Sequence, residues 1–464
     1  MKPEVELRGK RVLVVGLART GVATALFCEA RGALVTATDA LAGAELAGAA
    51  AKLSSAGITL ELGGHRRESF LAADLIVPSP GVPFDQPDLI AARKKGVAVW
   101  SEIELAWRFL RGRLVAITGS NGKTTTTALT GHILKCAGVP VLVGGNIGTP
   151  LISLVADSSD ESIAVVEVSS FQLEAISAFR PDVSVFLNLT PDHIDRHGSL
   201  EAYAAAKARI FENQKREDAA VMNADDPASA RYAPPGPRVY WFSRGKEVAR
   251  GTFVRGHEII FCDGDAEARL ASRSEITLRG EHNLENVLAA ATAACLVGAA
   301  PAAIAEAVRS FPGVEHRLQF VAEIGGVQFY NDSKATNVDA TEKALEAFPG
   351  NVLVILGGKD KGSDYTPLGP LLARRARRAF LIGAAAEKIA SQIEGSVPLE
   401  RSGTLDRAVH AAYKAARPGD VVLLAPACAS FDQFQNFEHR GRVFVDLVRE
   451  LALGAGAGAA GGKR

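Results

Sequence analysis

Short apolar runs alternate with longer helix-like segments through the first hundred residues of the chain. The runs at 11–16 and 33–39 are rich in β-branched and small apolar residues, as is typical of strands buried on both faces of a parallel sheet. The segment 18–31 between them has the length of a crossover helix, and 73–83 is a further strand that ends in a Pro/Gly turn. This pattern predicts a small doubly wound α/β domain.

A second block begins with an apolar strand at 113–118, which runs into a glycine-containing loop and then a helix at about 123–137. Further strands are predicted from the apolar runs at 163–170, 182–190 and 219–226. Helices are predicted at 199–214 and 282–298, and β-hairpins within 240–280.

A third block starts near Gly313 and again alternates apolar strands with helical segments, which predicts a second Rossmann-like domain. Its strands are predicted at 327–333, 351–358, 378–383 and 421–430. The chain is therefore predicted to be an α/β protein of three domains. They are a Rossmann-like domain at 1–110, a central domain of the phosphate-loop ATPase type at 111–312 and a Rossmann-like domain at 313–452. The glycine-rich stretch 453–464 is predicted to be a disordered tail.

Composition narrows the classes of function. Lysine plus arginine equals aspartate plus glutamate at 52 each, so the chain has no bulk charge to attract nucleic acid or an anionic membrane. The five cysteines are scattered and form no C-x-x-C pair, which favours a reducing compartment over a zinc ribbon or a disulfide framework. The apolar runs are shorter than the ~20 residues that span a bilayer, and a cytoplasmic protein without membrane insertion is predicted.

The chemical signal that stands out is the loop Gly119–Thr124, with sequence GSNGKT, between the strand and helix that open the second block. Small residues let backbone N–H groups face phosphate oxygens, and the helix N-terminus favours negative charge. Lys123 can reach the β- and γ-phosphates, and the Thr124 hydroxyl can hold Mg²⁺. The spacing is two residues shorter than the usual G-x-x-x-x-G-K-[ST] pattern. The alternative is a βα turn that carries a lysine by chance.

Acidic and imidazole side chains follow two other strands of this block. Glu167 ends the run IAVVEVSS, where a second Mg²⁺ ligand belongs, although an acid at a strand end is often a solvated or capping group. Asp192, His193, Asp195 and His197 follow the next run. They could be a metal cluster or a polar loop with capping aspartates, and the residue types alone do not decide.

The flanking blocks carry weaker signals. Gly16–Gly21 with Asp39 resembles a dinucleotide fingerprint, but Ala18 replaces the middle glycine, which favours a diphosphate or nucleotide over NAD. Such turns also occur in α/β domains that bind nothing. In the third block, Lys334 and Lys361 lie just beyond strand ends, where a small carboxylate could bind. Either lysine taken alone could equally be a solvated loop residue.

Taken together, the motifs resemble one enzyme family. GSNGKTTT, GGNIG (144–148), EVSSFQLE (167–174), NLTPDHIDRH, GEHNLENVLAA, NDSKATN and CASFDQFQNFEHRG occur in the order found in the ATP-dependent Mur ligases of bacterial cell-wall synthesis. The resemblance covers all but the glycine-rich tail. It implies an acid–amino-acid ligase that uses ATP and Mg²⁺ and forms an acyl phosphate. KATNVDAT and CASFDQF favour the branch that joins D-glutamate to UDP-N-acetylmuramoyl-L-alanine.

The resemblance also implies roles for particular residues, with Lys123, Lys207 and His193 as the catalytic set. ATP would be bound by Gly119, Ser120, Asn121, Gly122, Lys123, Thr124, Thr125, Asn283, Asn286, Arg317 and Asp332, with His316 near the nucleotide. The UDP substrate would contact Thr20, Asp39, Gly81 and Asn146, and D-glutamate would contact Lys334, Thr336, Lys361, Ser430 and Phe437. Magnesium would be held by Thr124, Glu167, His193 and Lys207, the last as a carbamate, because CO₂ converts its cation into an anion.

Three other functions account for part of the pattern. A folylpolyglutamate-type ligase would share the central chemistry but not the Rossmann-like UDP site ahead of it. An NAD-dependent oxidoreductase would leave the phosphate loop, Glu167 and Lys207 without a role. A nucleotide-binding switch would bind ATP without coupling phosphate release to an amino acid. The resemblance instead implies a monomeric enzyme whose partners are its two substrates, with no nucleic acid or membrane.

Overall fold

The first sheet of the computed structural model is parallel throughout, with strand order β3-β2-β1-β4-β5. The structure describes residues 4–460, with the side chains of residues 195 and 454–460 outside that description. The strands are β1 (Arg11–Val15), β2 (Leu34–Asp39), β3 (Thr59–Leu62), β4 (Leu75–Pro78) and β5 (Ala98–Val99). The helices are α1 (Arg19–Glu29), α2 (Ala47–Ser55), α3 (Arg67–Ala72), α4 (Pro87–Lys94) and α5 (Glu102–Phe109). The strands and helix predicted within 11–39 are confirmed.

The second sheet has nine strands in the order β14-β13-β12-β11-β10-β9-β6-β8-β7. The strands are β6 (Arg113–Thr118), β7 (Val141–Gly145), β8 (Ile163–Glu167), β9 (Val183–Phe186), β10 (Ala219–Asn223), β11 (Arg238–Ser243), β12 (Arg250–Arg255), β13 (Glu258–Asp263) and β14 (Ala266–Ser272). Strands β6–β12 pair in parallel, whereas β12–β14 form the predicted hairpins. Strand β6 lies between β8 and β9, so it is an interior strand of the sheet.

Eight helices accompany the second sheet in the described part of the chain. They are α6 (Lys123–Cys136), α7 (Leu151–Leu154), α8 (Ser170–Leu173), α9 (Ile194–His197), α10 (Leu200–Ala208), α11 (Pro227–Ala230), α12 (Glu281–Leu296) and α13 (Pro301–Ser310). The helix predicted at 199–214 is shorter than expected, because a 3₁₀ turn follows it at Arg209–Phe211. Strands β8 and β9 also end earlier than predicted, and the residues after them form loops that carry polar side chains.

The third sheet has the order β15-β16-β20-β17-β18-β19 and is parallel except for the pair β15–β16. The strands are β15 (Gln319–Ile324), β16 (Val327–Asn331), β17 (Val352–Gly357), β18 (Ala376–Ile382), β19 (Leu399–Gly403) and β20 (Val421–Leu424). The helices are α14 (Val338–Glu346), α15 (Leu368–Arg375), α16 (Ala386–Gln392), α17 (Leu405–Ala415) and α18 (Phe437–Ala460). Helix α18 takes up most of the predicted tail, and 461–464 lie outside the described residues, so disorder of 453–464 stays a prediction.

Three sheets confirm a three-domain α/β architecture, but they form two compact units. The first unit joins the first two sheets and covers Met1–Ile276 with Glu285–Phe311. The second covers Thr277–Leu284 with Pro312–Arg464. Helix α12 therefore contributes its first residues to one unit and the rest to the other.

A buried carboxylate joins the first sheet's last helix to the second sheet's domain. Glu104 of α5 is fully buried and accepts hydrogen bonds from the backbone N–H groups of residues 177–179, the shortest being 2.7 Å from Phe179. The Arg108 guanidinium, one turn along the helix, donates to the same carboxylate at 2.7 Å. Because a buried carboxylate needs such donors, this contact fixes the packing of the two domains in the first unit.

Glu104→Gln is expected to lower the free energy of unfolding of the first unit by about 3 kcal/mol, because it leaves the buried Arg108 without its counter-charge. Urea unfolding followed by the fluorescence of Trp107, on the same helix, measures the change. The matched control is Glu247→Gln, which breaks an exposed ion pair with Arg255 and is expected to change stability little. An equal loss for both variants would contradict a joining role for Glu104.

Candidate active site

The loop between β6 and α6 requires glycine at both of its ends. Gly119 has φ of +149°, and a Cβ there would lie 2.9 Å from the Leu187 Cβ. Gly122 caps α6 with φ of +84°, and a Cβ there would lie 2.2 Å from Asn286 Oδ1. Both conformations and both close approaches exclude a side chain. The shortened spacing therefore forms a tight strand–loop–helix turn that leaves the N-terminal N–H groups of α6 for an anion.

The middle of this loop is held by the segment that follows β9. The Ser120 N–H donates to the Asn188 carbonyl at 3.0 Å, and the Asn121 N–H donates to Asn188 Oδ1 at 2.9 Å. The Ser120 hydroxyl donates to the Thr190 carbonyl at 2.9 Å. Two of the loop's amides thus shape the loop itself. The predicted ATP residues Ser120 and Asn121 therefore hold the loop in shape. The backbone N–H groups in the first turn of α6 are left to contact an anion.

Two lysine ammonium groups converge on one backbone carbonyl of the loop. Lys123 Nζ and Lys207 Nζ each donate to the Gly119 carbonyl oxygen at 2.8 Å, and Lys123 also donates to the Ser120 carbonyl at 2.8 Å. Lys207 lies on α10 and is only 1% exposed. Burial and the Lys123 charge hold the pKa of Lys207 well below its usual value. Two positive charges are therefore disfavoured at this point, and the Asp192 and Glu167 carboxylates offset the effect on Lys207 only in part.

The polar side chains of Thr124, Asn146 and Glu167 lie together beside the first turn of α6. The Thr124 hydroxyl donates to Glu167 Oε2 at 2.8 Å, and the Asn146 amide donates to Glu167 Oε1 at 2.9 Å. Glu167 ends β8 and is buried. The structure thus brings together the predicted metal ligands Thr124 and Glu167. Asn146, which the resemblance assigned to the UDP substrate, lies against the same carboxylate.

His193 lies in a neighbouring aromatic cluster. Its ring is 5.0 Å from Phe171 and 6.4 Å from Tyr203, and its side chain is half exposed. His197 is more buried, stacks on Phe171 at 5.3 Å and shares a hydrogen bond of 3.0 Å with Ser170. Tyr203 lies one turn before Lys207 on α10, and burial raises its pKa to about 12. Phe171 and Tyr203 were not predicted from the sequence, because a single aromatic residue in a helix is usually part of a hydrophobic core.

The predicted UDP contacts in the first sheet lie at its carboxyl edge. The Asp39 carboxylate accepts hydrogen bonds from the N–H groups of Leu17 at 2.6 Å and Leu41 at 2.9 Å, so it fixes the loop after β1. Thr20 is in the first turn of α1, and Gly81 is exposed in the turn after β4. Because β1, β2 and β4 are parallel, these residues share one edge of the sheet.

The two asparagines predicted near the adenine fall in different compact units. Asn286 belongs to the first unit and accepts a hydrogen bond from the Thr126 hydroxyl at 3.3 Å. Asn283 belongs to the second unit and donates to the Arg279 carbonyl at 2.6 Å. Thr125 of α6 is buried beside the phosphate loop. The predicted ATP residues are thus divided between the two units.

Residues after β16 form a second polar group within the second unit. Asp332 is buried, and burial raises its pKa to about 7 against the opposite effect of the Arg317 guanidinium. The Lys334 N–H donates to the His316 carbonyl at 3.1 Å, and His316 has φ of +63°. The contact joins the segment predicted to approach the nucleotide to the one predicted to bind D-glutamate.

The predicted D-glutamate residues follow the carboxyl ends of three neighbouring strands of the third sheet. Lys334 and Thr336 follow β16, Lys361 follows β17, and Ser430 follows β20. Lys361 is exposed and Ser430 is buried. Phe437 starts α18, with its ring 5.6 Å from Lys334 Nζ. One charged residue near this group was not predicted from the sequence, the fully buried Arg440 of the motif FEHRG.

The described residues contain neither a preformed metal-ligand cluster nor a membrane-spanning helix. Residues 4–460 contain no group of three or more His, Cys, Asp or Glu side chains that could hold a metal ion by themselves. Thr124 and Glu167 together fit Mg²⁺ that takes its remaining ligands from phosphate and water, which is the usual way enzymes hold it. No helix in that same range is long and apolar enough to cross a membrane.

Comparisons with known protein families cover most of the chain. Residues 10–101 match the model described as Mur ligase MurD-like, N-terminal domain, and 117–294 match the Mur ligase middle domain. Residues 316–428 match the model described as Mur ligase, glutamate ligase domain.

Named relatives match over nearly their whole length. The UDP-N-acetylmuramoylalanine–D-glutamate ligase of Acidobacterium capsulatum is 56% identical, over 96% of this chain and 97% of that protein. The enzyme of the same name from Koribacter versatilis is 54% identical, over 97% and 99%. Among solved structures, the UDP-N-acetylmuramate–alanine ligase of Thermotoga maritima matches with a TM-score of 0.59 at 20% identity, over 95% and 99% of the two chains. At that identity the structural match supports the fold alone.

Proposed function

Because this chain belongs to the Mur ligase family, we propose that it catalyses the ATP-dependent joining of D-glutamate to UDP-N-acetylmuramoyl-L-alanine in peptidoglycan precursor synthesis. Relatives that carry this activity in their names are more than half identical to it over nearly its full length. The observation that carries the chemistry is the meeting of Lys123, Thr124, Glu167 and Lys207 at one phosphate loop. The ligase acts as a cytoplasmic monomer in this proposal.

The first step activates a carboxylate. A carboxylate oxygen of the muramoyl-L-alanine attacks the γ-phosphorus of ATP, the bond to the ADP oxygen breaks, and an acyl phosphate forms. The N-terminus of α6 and the Lys123 ammonium bind the phosphate oxygens and stabilise the charge that spreads over the transferring group. In this proposal Asn283 and Asn286 contact the adenine side of ATP, Arg317 approaches the nucleotide, and Asp332 contacts its ribose.

Thr124, Glu167, His193 and Lys207 would hold Mg²⁺, which would act as a Lewis acid and neutralise charge on the phosphate oxygens. For Lys207 this requires carbamylation, in which neutral Nζ attacks CO₂, a C–N bond forms and a proton leaves. The structure supports this step in two ways. Burial favours the neutral amine, and the neighbouring Lys123 favours an anion over a second cation.

The second step forms the amide bond. The neutral amine of D-glutamate attacks the acyl carbon, the carbon–oxygen bond to phosphate breaks, and the amine loses a proton. Lys334, Thr336, Lys361, Ser430 and Phe437 bind the amino acid at the carboxyl edge of the third sheet, and Thr20, Asp39, Gly81 and Asn146 bind the UDP substrate. The acyl phosphate must be shielded from water until the amine of D-glutamate reacts with it.

Phosphate release from ATP in the presence of UDP-N-acetylmuramoyl-L-alanine tests the proposal. We expect release to require added D-glutamate and to equal the amide formed, with L-glutamate, D-aspartate and diaminopimelate as unreactive acceptors. Release that ignores the acceptor would identify a nucleotide hydrolase or switch. Preference for another amino acid would place the chain in a different branch of the family.

A further inference from the structure

Arg440 of α18 is a fully buried arginine whose hydrogen bonds all go to neutral oxygens. Its Nε donates to the Ser333 hydroxyl at 2.9 Å, and its Nη2 donates to the Ser333 carbonyl at 2.8 Å. Its Nη1 lies 3.2 Å from the Cys428 carbonyl and 3.4 Å from that of Ala429. One guanidinium thus joins two loops that are about a hundred residues apart in the chain.

The charge of this guanidinium is not paired with an acid. Among residues 4–460, no carboxylate lies within ion-pair distance of Arg440. Asp432, whose charge acts on Arg440, accepts a hydrogen bond from the Ala384 N–H at 3.0 Å. Burial lowers the pKa of Arg440 to about 10, so it remains cationic at neutral pH. A buried cation without an anion is costly, and its field extends to its surroundings.

The segments that surround Arg440 are those that carry the predicted amino-acid contacts. Ser333 precedes Lys334, and Ala429 precedes Ser430. The Ser333 hydroxyl also donates to the Phe437 carbonyl at 2.8 Å. A Cβ on Gly358, in the loop that leads to Lys361, would lie 2.3 Å from the Ala429 carbonyl and 3.2 Å from Arg440 Nη1. Arg440 therefore hydrogen-bonds two of these loops and lies beside the third, at Gly358.

We propose that Arg440 is a positioning residue for the amino-acid acceptor. Its hydrogen bonds fix the loops of Lys334 and Ser430, and its unpaired charge selects an acceptor with a side-chain carboxylate. This inference rests on the proposed function, because it takes the acceptor to be D-glutamate. Arginine is needed because its planar fork reaches several acceptors at once, which the single ammonium of lysine cannot do. The acceptor's negative charge offsets the buried cation when it binds.

Steady-state kinetics of Arg440→Met and Arg440→Lys, with ATP and UDP-N-acetylmuramoyl-L-alanine saturating, test the inference. For Arg440→Met we expect kcat/KM for D-glutamate to fall on the order of 100-fold, because the contacts shift by about an ångström. The KM for ATP should stay unchanged. The preference for D-glutamate over D-glutamine should fall with Arg440→Met and be retained with Arg440→Lys, because only lysine keeps the charge.

Arg449→Met is the matched control, since it removes an exposed cation from the same helix. Where Arg440→Met does not fold, Ser333→Ala removes one partner of the fork, and a raised KM for D-glutamate there supports the proposal. Variants that lose only thermal stability, with KM and acceptor preference unchanged, would overturn it. Failure of the unmodified protein to use D-glutamate would instead overturn the proposed function, and the Arg440 proposal with it.

Discussion

Lys207→Ala is expected to lower the rate of ligation on the order of 1,000-fold, through loss of a group that stabilises the transferring phosphate. The lysine is buried with its Nζ 2.8 Å from the Gly119 carbonyl, beside the Lys123 ammonium. An uncharged alanine removes the anion that the carbamate would supply. Folding is expected to survive, because the substitution also removes a buried amine whose charged form is disfavoured.

Rescue distinguishes a carbamate from an ordinary lysine. Short carboxylates such as acetate are expected to restore part of the activity of Lys207→Ala, since they can occupy the space and supply two oxygens to a metal. For the unmodified protein, removal of bicarbonate and CO₂ should lower activity, and ¹³C-bicarbonate should label the protein in an NMR experiment. Lys215→Ala, an exposed lysine beyond the same helix, is the matched control. Full activity of Lys207→Ala would contradict the carbamate.

The pH dependence of this effect has a definite sign. The pKa of Lys207 is lowered, so its amine releases its proton at a lower pH in the folded protein than in the unfolded chain. Carbamylation needs the neutral amine. Activity that depends on bicarbonate should therefore be lost as pH falls through the lowered pKa and should be retained at higher pH. Lys207→Ala rescued by acetate should lack this dependence on Lys207.

The strands that the sequence predicted are mainly interior strands. Strands β1, β6, β8, β17 and β20 each have two neighbours in their sheets and appear as continuous apolar runs. Five of the six outer strands were not predicted, namely β3, β5, β7, β15 and β19, whereas the sixth, β14, lies in the stretch predicted as hairpins. An outer strand has one partner and is partly exposed, as in β15 with its mixed burial, so its sequence lacks the apolar run that marks an interior strand.

The parts of the site that follow a strand could be predicted, and those that depend on distant contacts could not. Gly119–Thr124 follows β6 and Glu167 ends β8, so their positions could be inferred from the apolar runs before them. The pairing of Asn146 with Glu167 depends on the neighbouring strands β7 and β8. The burial of Arg440 depends on partners about a hundred residues earlier in the chain. Such contacts arise only from the folded packing, which a pattern along the chain does not contain.

Lys123→Met is expected to lower kcat on the order of 1,000-fold, because it removes a cation from the phosphates at the point where charge develops. In the structure, Lys123 Nζ donates to the carbonyls of Gly119 and Ser120, so the ammonium is already held over the loop. Methionine preserves the length of the side chain and the packing of its stem. Rapid-quench measurement of ADP formation, with both substrates saturating, reports the phosphoryl-transfer step directly. Lys135→Met, at the exposed end of the same helix, is the control.

The double variant Lys123→Met/Lys207→Ala provides the sharper test, because both side chains contact the Gly119 carbonyl. If the two residues act together on one phosphate, each single variant already disables the charge arrangement, and the losses should not multiply. We expect the double variant to be slower than the slower single variant by no more than about 10-fold. If the two single losses instead multiply, the double variant would be slower on the order of a million-fold, and that result would contradict a shared role. In that case Lys123 and Lys207 would act on different steps, with Lys123 alone serving the transferring phosphate.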